Sequence, residues 1–196
     1  GITTSPKARN GGVSVEKAAE KAKANLRYIA RSTAVAKGNR FGAGAMINPD
    51  GSRVRSALEG RAAMRKAIDA RSIAGGQNGK RVAEKLMLSL PNDFIGKPAK
   101  EALRRIMQRL LADSDAIAYG VIHTDRPDNL HCHILAVDGQ ESITSARKRR
   151  PGAKRVRRRD QLRMNERGRP REVRQLIAEE INAVAEAYGL TKVEHR

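Results

Sequence analysis

Two apolar runs, residues 116–123 and 130–137, constrain the middle of the chain more tightly than any other feature. Each has the length of a buried strand, and the connection over 124–129 is hairpin-sized, so the pair predicts an antiparallel ribbon. A third apolar run, 86–90, ends at Pro91 and Asn92 and reads as another short strand. Helical spacing fills the intervals. Val15, Ala19, Ala22, Leu26 and Ile29 recur every three or four residues, which predicts a helix over 14–31 with Ser14 as N-cap and Glu16 in its first turn. Leu103, Ile106, Met107, Leu110 and Leu111 give a clean stripe over 99–112. A last helix is predicted over 170–188, with Val173, Ile177, Ile181, Val184 and Tyr188 on its apolar face and Gly189 as the stop. A short helix over 59–71 precedes the turn from Gly75 to Gly79, and 38–60 reads as loop with a short hairpin at Asn48-Pro49-Asp50-Gly51.

Helices alternating with antiparallel strands imply an α+β fold, a central and mainly antiparallel sheet flanked by helices in two or three layers. The length, 196 residues, suits one domain. Residues 1–13 show no periodicity and read as a flexible arm. Aromatic residues are only 3% of the chain and Trp is absent, so the core must be aliphatic and an aromatic-rich sandwich is excluded.

Charge narrows the partner. Forty Lys and Arg against 21 Asp and Glu leave a net +19, the balance of a chain that meets a polyanion. Nothing as long as the roughly 18 apolar residues of a membrane span occurs, and no apolar anchors accompany the charge, so no membrane insertion is expected. A lone Cys132 and the lack of a secretory pattern fit a reducing, cytoplasmic setting. The basic residues concentrate in 147–163, where ten Lys or Arg face one acid, Asp160. Arg147, Lys148, Arg149, Arg150, Lys154, Arg155, Arg157, Arg158 and Arg159 are the expected phosphate contacts; the alternative is a solvated segment without a partner.

The histidines point to chemistry. Three of the four, His123, His131 and His133, fall within eleven residues. Residues two apart on a strand share a face at about 6.6 Å, so His131 and His133 can converge on one ion, and His123 reaches the same place from the neighbouring strand. Cys132 points to the other face, as core. Three protein ligands leave a coordination position open, which is the pattern of a catalytic rather than a structural metal. Asp125 is expected to accept a ring N–H and hold the tautomer.

Taken together, His123-Thr124-Asp125, the five residues to His131, and His131-Cys132-His133-Ile134-Leu135 resemble the metal tract of conjugative relaxases in the HUH endonuclease superfamily, nearest to the MobA/MobL and VirD-type plasmid mobilisation nickases. Tyr28-Ile29-Ala30-Arg31 is similar to the family's nucleophile segment, and Leu86-Met87-Leu88-Ser89-Leu90-Pro91 to its second motif. The family's opening strand has no visible counterpart in 1–13. The second motif offers Ser89 and Glu84, and which group, if either, takes the tyrosine proton stays open. The resemblance implies cleavage of single-stranded DNA at an origin of transfer through a 5′-phosphotyrosine on Tyr28, with Arg31 on the DNA. It also implies relaxosome accessory proteins and a type IV secretion coupling protein as partners. The ion would be Mg²⁺ or Mn²⁺, with Zn²⁺ possible, because an all-imidazole set is unusual for Mg²⁺. Rival readings are a rolling-circle replication initiator or HUH transposase, and a non-catalytic basic DNA-binding accessory protein.

Helical geometry supports the choice of tyrosine. Tyr28 lies roughly 140° from the centre of its helix's apolar stripe and should project away from the core. Tyr188 falls on an apolar stripe and reads as core. Tyr119 shares strand parity with His123 but lies about 13 Å back along the strand.

Overall fold

The computed structural model describes residues 14–31, 45–47, 57–74, 82–112, 116–125, 128–137 and 168–194. The elements run α1 (Val15–Ile29), β1 (Ala45–Ile47), α2 (Ala57–Ala74), β2 (Glu84–Ser89), α3 (Lys97–Leu111), β3 (Ile117–His123), β4 (His131–Val137) and α4 (Arg169–Tyr188). The sheet order is β1-β3-β4-β2, and every neighbouring pair is antiparallel. The predicted hairpin is its centre, with Ile117 opposite Val137 at one end and His123 opposite His131 at the other.

Both faces of this sheet are covered, which is why its central strands read as continuous apolar runs rather than alternating ones. On one face Ala118 and Ile122 of β3, Cys132, Ile134 and Ala136 of β4, and Leu86 and Leu88 of β2 pack with the apolar stripes of α3 and α4. On the other, Tyr119, Val121, Leu135 and Val137 meet Ala19, Ala22, Leu26 and Ile29 of α1 and Met64 and Ile68 of α2. The result is a three-layer α+β sandwich. Gly120 marks where α3 presses hardest on the sheet: a Cβ there would collide with the Met107 sulfur and touch Leu103 Cδ1 at 3.0 Å.

Local signals account for the helix ends. Ser14 Oγ accepts from the Lys17 N–H at 3.3 Å and caps α1. Pro98 and Pro170 occupy first turns, where no intrahelical N–H is missed, each behind a glycine of positive φ, Gly96 at 75° and Gly168 at 91°.

Several expectations change. The loop expected over 38–60 contributes β1, which pairs with β3; the hairpin expected at Asn48-Pro49-Asp50-Gly51 lies outside the described residues. Tyr188, expected in the core, is 40% exposed. The chain reverses at Gly189, where the Leu190 N–H donates to the Ala185 carbonyl at 2.8 Å, and Leu190 and Val193 pack against the core instead. The arm over 1–13, the turn over 75–79 and the basic segment over 147–163 also lie outside the described residues.

Candidate functional site

His123 and His131 face each other across the β3–β4 hairpin, and His133 follows two residues along β4. The period-two alternation therefore sends all three rings to the α1 side of the sheet, while Cys132 joins the opposite core, where burial pushes its thiol up to about 12. Ring centroids lie 5.2 Å apart for His123 and His131, 4.6 Å for His123 and His133, and 5.1 Å for His131 and His133. One nitrogen from each lies within 4.8 Å of the others.

Hydrogen bonds select the tautomers. His123 Nε2–H donates to the Ile29 carbonyl at 2.7 Å, leaving Nδ1 with a lone pair, buried and without a partner. His131 Nδ1–H donates to the Asn129 carbonyl at 2.8 Å and leaves Nε2 as its free donor atom. His133 Nδ1 is also buried without a partner. Burial lowers the His123 pKa, and burial, then His123 and Lys85, bring that of His133 down to about 3. Near pH 7 these two rings are neutral bases, the form that binds a metal. Orphaned lone pairs on converging imidazoles fit a divalent cation, and drawing the nitrogens to coordination distance takes side-chain movements on the order of 1 Å.

The expected partner of His123 was Asp125, and the structure corrects this. Asp125 Oδ2 instead accepts from Arg31 Nη2 at 2.9 Å, and the carbonyl at the end of α1 does the orienting. Burial alone would raise the Asp125 pKa, yet the Arg31 hydrogen bond, a backbone hydrogen bond and the nearby positive charge together hold the group below the ordinary aspartate value. The C-terminal end of α1 also turns the negative pole of the helix toward the triad, which favours a cation there.

Tyr28, in the last turn of α1, stands over the triad with its ring centroid 6.0 Å from His133 and 6.5 Å from His123. It is 49% exposed, as its position off the apolar stripe predicts. The Arg31 guanidinium carbon lies 4.1 Å from its ring centroid, and Lys85 Nζ lies 5.1 Å from the same point. The other tyrosines are elsewhere: Tyr119 is fully buried, its hydroxyl pushed up to about 12 by burial, and Tyr188 is the last residue of α4, on the opposite side of the sheet.

The structure thus brings together Tyr28, Arg31, His123, Asp125, His131 and His133. Arg147, Lys148, Arg149, Arg150, Lys154, Arg155, Arg157, Arg158 and Arg159 lie outside the described residues. Of the two groups on the second motif, Ser89 pairs in register with His131, whereas Glu84 shares strand parity with Leu86 and Leu88 and faces away from Tyr28. Sequence reasoning missed Lys85 and the carbonyls of Ile29 and Asn129. Lys85 was legible only as a residue of the same parity as Ser89; its relation to Tyr28 depends on β2 joining β4.

Arranged this way, the site can hold a cation among three nitrogens and an anion between that cation and two basic side chains, with an exposed hydroxyl at hand. No helix among the described residues is long and apolar enough to cross a membrane. No protein-family model and no curated protein sequence matches the chain. The fold is nevertheless similar to a solved structure from work on the molecular basis of vancomycin resistance transfer in Staphylococcus aureus, with a TM-score of 0.57, 18% sequence identity, and coverage of 91% of this chain and 93% of that one.

Proposed function

We propose that this chain is a relaxase domain, a site- and strand-specific DNA nickase and strand transferase that cuts single-stranded DNA at an origin of transfer and so initiates plasmid conjugation. The observation that carries the reading is one exposed phenol, Tyr28, standing over three converging histidines, two of which, His123 and His133, hold a buried Nδ1 with no protein partner. The sequence motifs and the fold shared with a protein studied for resistance transfer support it from two other directions.

In this reading His123, His131 and His133 hold Mn²⁺ or Mg²⁺, which when bound supplies Lewis acidity and charge neutralisation at the phosphate. Tyr28 contributes the nucleophilic oxygen. The new bond joins that oxygen to phosphorus as the bond to the 3′-oxygen breaks; the phenolic proton is given up and the 3′-oxygen gains one. The strand then carries a 5′-phosphotyrosine and a free 3′-hydroxyl, and the retained phosphodiester energy lets the step reverse to reseal or transfer the strand. Asp125 fixes Arg31 beside the phenol, so its part is positioning. Arg31 and the basic residues of 147–163 hold the DNA backbone, which sets register without reading bases.

The test is a denaturing gel after incubation with Mn²⁺ and a randomised pool of single-stranded oligonucleotides. A covalent protein–DNA adduct is expected for the unsubstituted chain and none for Tyr28→Phe. No adduct at all, or an equal adduct with Tyr28→Phe, overturns the assignment.

A further inference from the structure

One cation at the site has no use in the scheme above. Lys85 shares parity with Met87 and Ser89 on β2 and stands on the sheet face that carries His131 and His133. Among the described residues β2 is the outer strand on that side of the sheet, and the row Lys85, Met87, Ser89 borders the histidines along it. The Lys85 ammonium is 5.1 Å from the Tyr28 ring centroid. It is half-buried, and among the described residues no hydrogen bond or ion pair holds it. Its neighbours differ in this respect: Arg31 has Asp125, and Lys23, farther up α1, has Asp69 and Glu20. Arg31 is a second cation at the same ring, its guanidinium carbon 4.1 Å from the Tyr28 centroid. A half-buried ammonium with no protein partner keeps its donors for an anion.

We propose that Lys85 is a substrate-binding residue whose ammonium holds a non-bridging oxygen of the phosphodiester facing Tyr28. The inference rests on the nickase reading and adds to it the residue that fixes the reacting phosphate from the β2 side. A compact ammonium on a flexible stem suits this task, because it acts on phosphate as a point charge and adjusts as the strand moves.

The test is binding of a labelled oligothymidylate to the intact chain, followed by fluorescence anisotropy with Mn²⁺ across a salt series. Lys85→Met, which keeps the stem and removes the charge, is expected to weaken binding about tenfold at low salt. It should also make the slope of log K against log salt shallower by about 0.7, the loss of one phosphate contact. Lys85→Arg should recover both quantities. Lys192→Met removes the same charge beyond α4, on the far side of the sheet, and should change neither. Lys85→Gln is measured alongside, so that the outcome does not depend on one variant folding. Affinity and slope unchanged in both neutral variants, a loss that Lys85→Arg does not restore, or an equal loss in Lys192→Met overturns the proposal. These results are distinct from failure of the unsubstituted chain to bind the oligonucleotide at all, which overturns the nickase reading with it.

Discussion

At the scale of single residues, the state of each imidazole is set by one backbone carbonyl or by burial. His123 Nε2–H donates a hydrogen bond to the Ile29 carbonyl and His131 Nδ1–H donates one to the Asn129 carbonyl, so both keep the other nitrogen for a ligand. His131 is the least buried of the three and its single hydrogen bond is local, so removing it should spare the apoprotein and cost the metal. Mn²⁺ at about a hundred times its dissociation constant is expected to stabilise the unsubstituted chain by about 2.7 kcal/mol. In His131→Ala most of that gain should vanish while the metal-free melting temperature barely moves, and paired melting curves with and without Mn²⁺ measure both. An undiminished gain in the variant would remove His131 from the ligand set.

At the scale of elements, α3 and α4 are joined by a charged clamp as well as by their apolar stripes. Arg105 Nε and Arg109 Nη1 donate to the two oxygens of Glu180 at 2.7 and 2.9 Å, and Arg109 also reaches Glu179 at 2.9 Å. The side chain of Glu180 is only 8% exposed, whereas those of Arg105 and Arg109 are 40% and 48% exposed. The clamp is therefore asymmetric. Losing Glu180 leaves two arginines that water can solvate; losing both arginines strands a buried carboxylate. Arg105→Met with Arg109→Met is expected to cost about 3 kcal/mol, and Glu180→Met about 1 kcal/mol or less. Urea unfolding of the variants measures the difference, and equal costs would show that burial of Glu180 is not what makes the clamp matter.

At the scale of the whole molecule, acid stability follows from groups on both faces of the sheet. The folded values of His123 and His133 lie below the ordinary histidine value of 6.5, because burial disfavours their charged forms. Between the folded and unfolded values the unfolded chain binds more protons, so stability falls as pH drops below about 6.5. Glu180 acts lower down. Its burial would raise its pKa, but Arg105 and Arg109 bring it below 4.5, so its contribution is intact above that value and is lost as pH falls through the folded one. The metal-free melting temperature is thus expected to decline in two stages, the first beginning near 6.5 and the second below 4.5. Mn²⁺ should suppress the first stage, because metal and protons compete for the same nitrogens. A flat profile between pH 6.5 and 5, with or without Mn²⁺, would contradict the burial of neutral imidazoles.

The sequence by itself determined the features that depend on local periodicity. Alternation along β4 put His131 and His133 on one face and Cys132 on the other, and the 3.6-residue turn of α1 carried Tyr28 off its apolar stripe. The strand pair, the two stripes of α3 and α4 and the metal-capable triad follow from the same arithmetic. Tertiary structure alone decided what requires two distant segments to meet. The proton acceptor of His123 lies at the end of α1, 94 positions away in the chain, and that same approach gives Arg31 to Asp125. Addition of β2 to β4 brings Lys85 to Tyr28 and turns Glu84 away, and the reversal at Gly189 exposes Tyr188 by placing Leu190 and Val193 on the core. Side-chain direction within an element is fixed by its backbone repeat; which carbonyl or charge a side chain then meets is fixed by how the elements dock, and no local repeat carries that information.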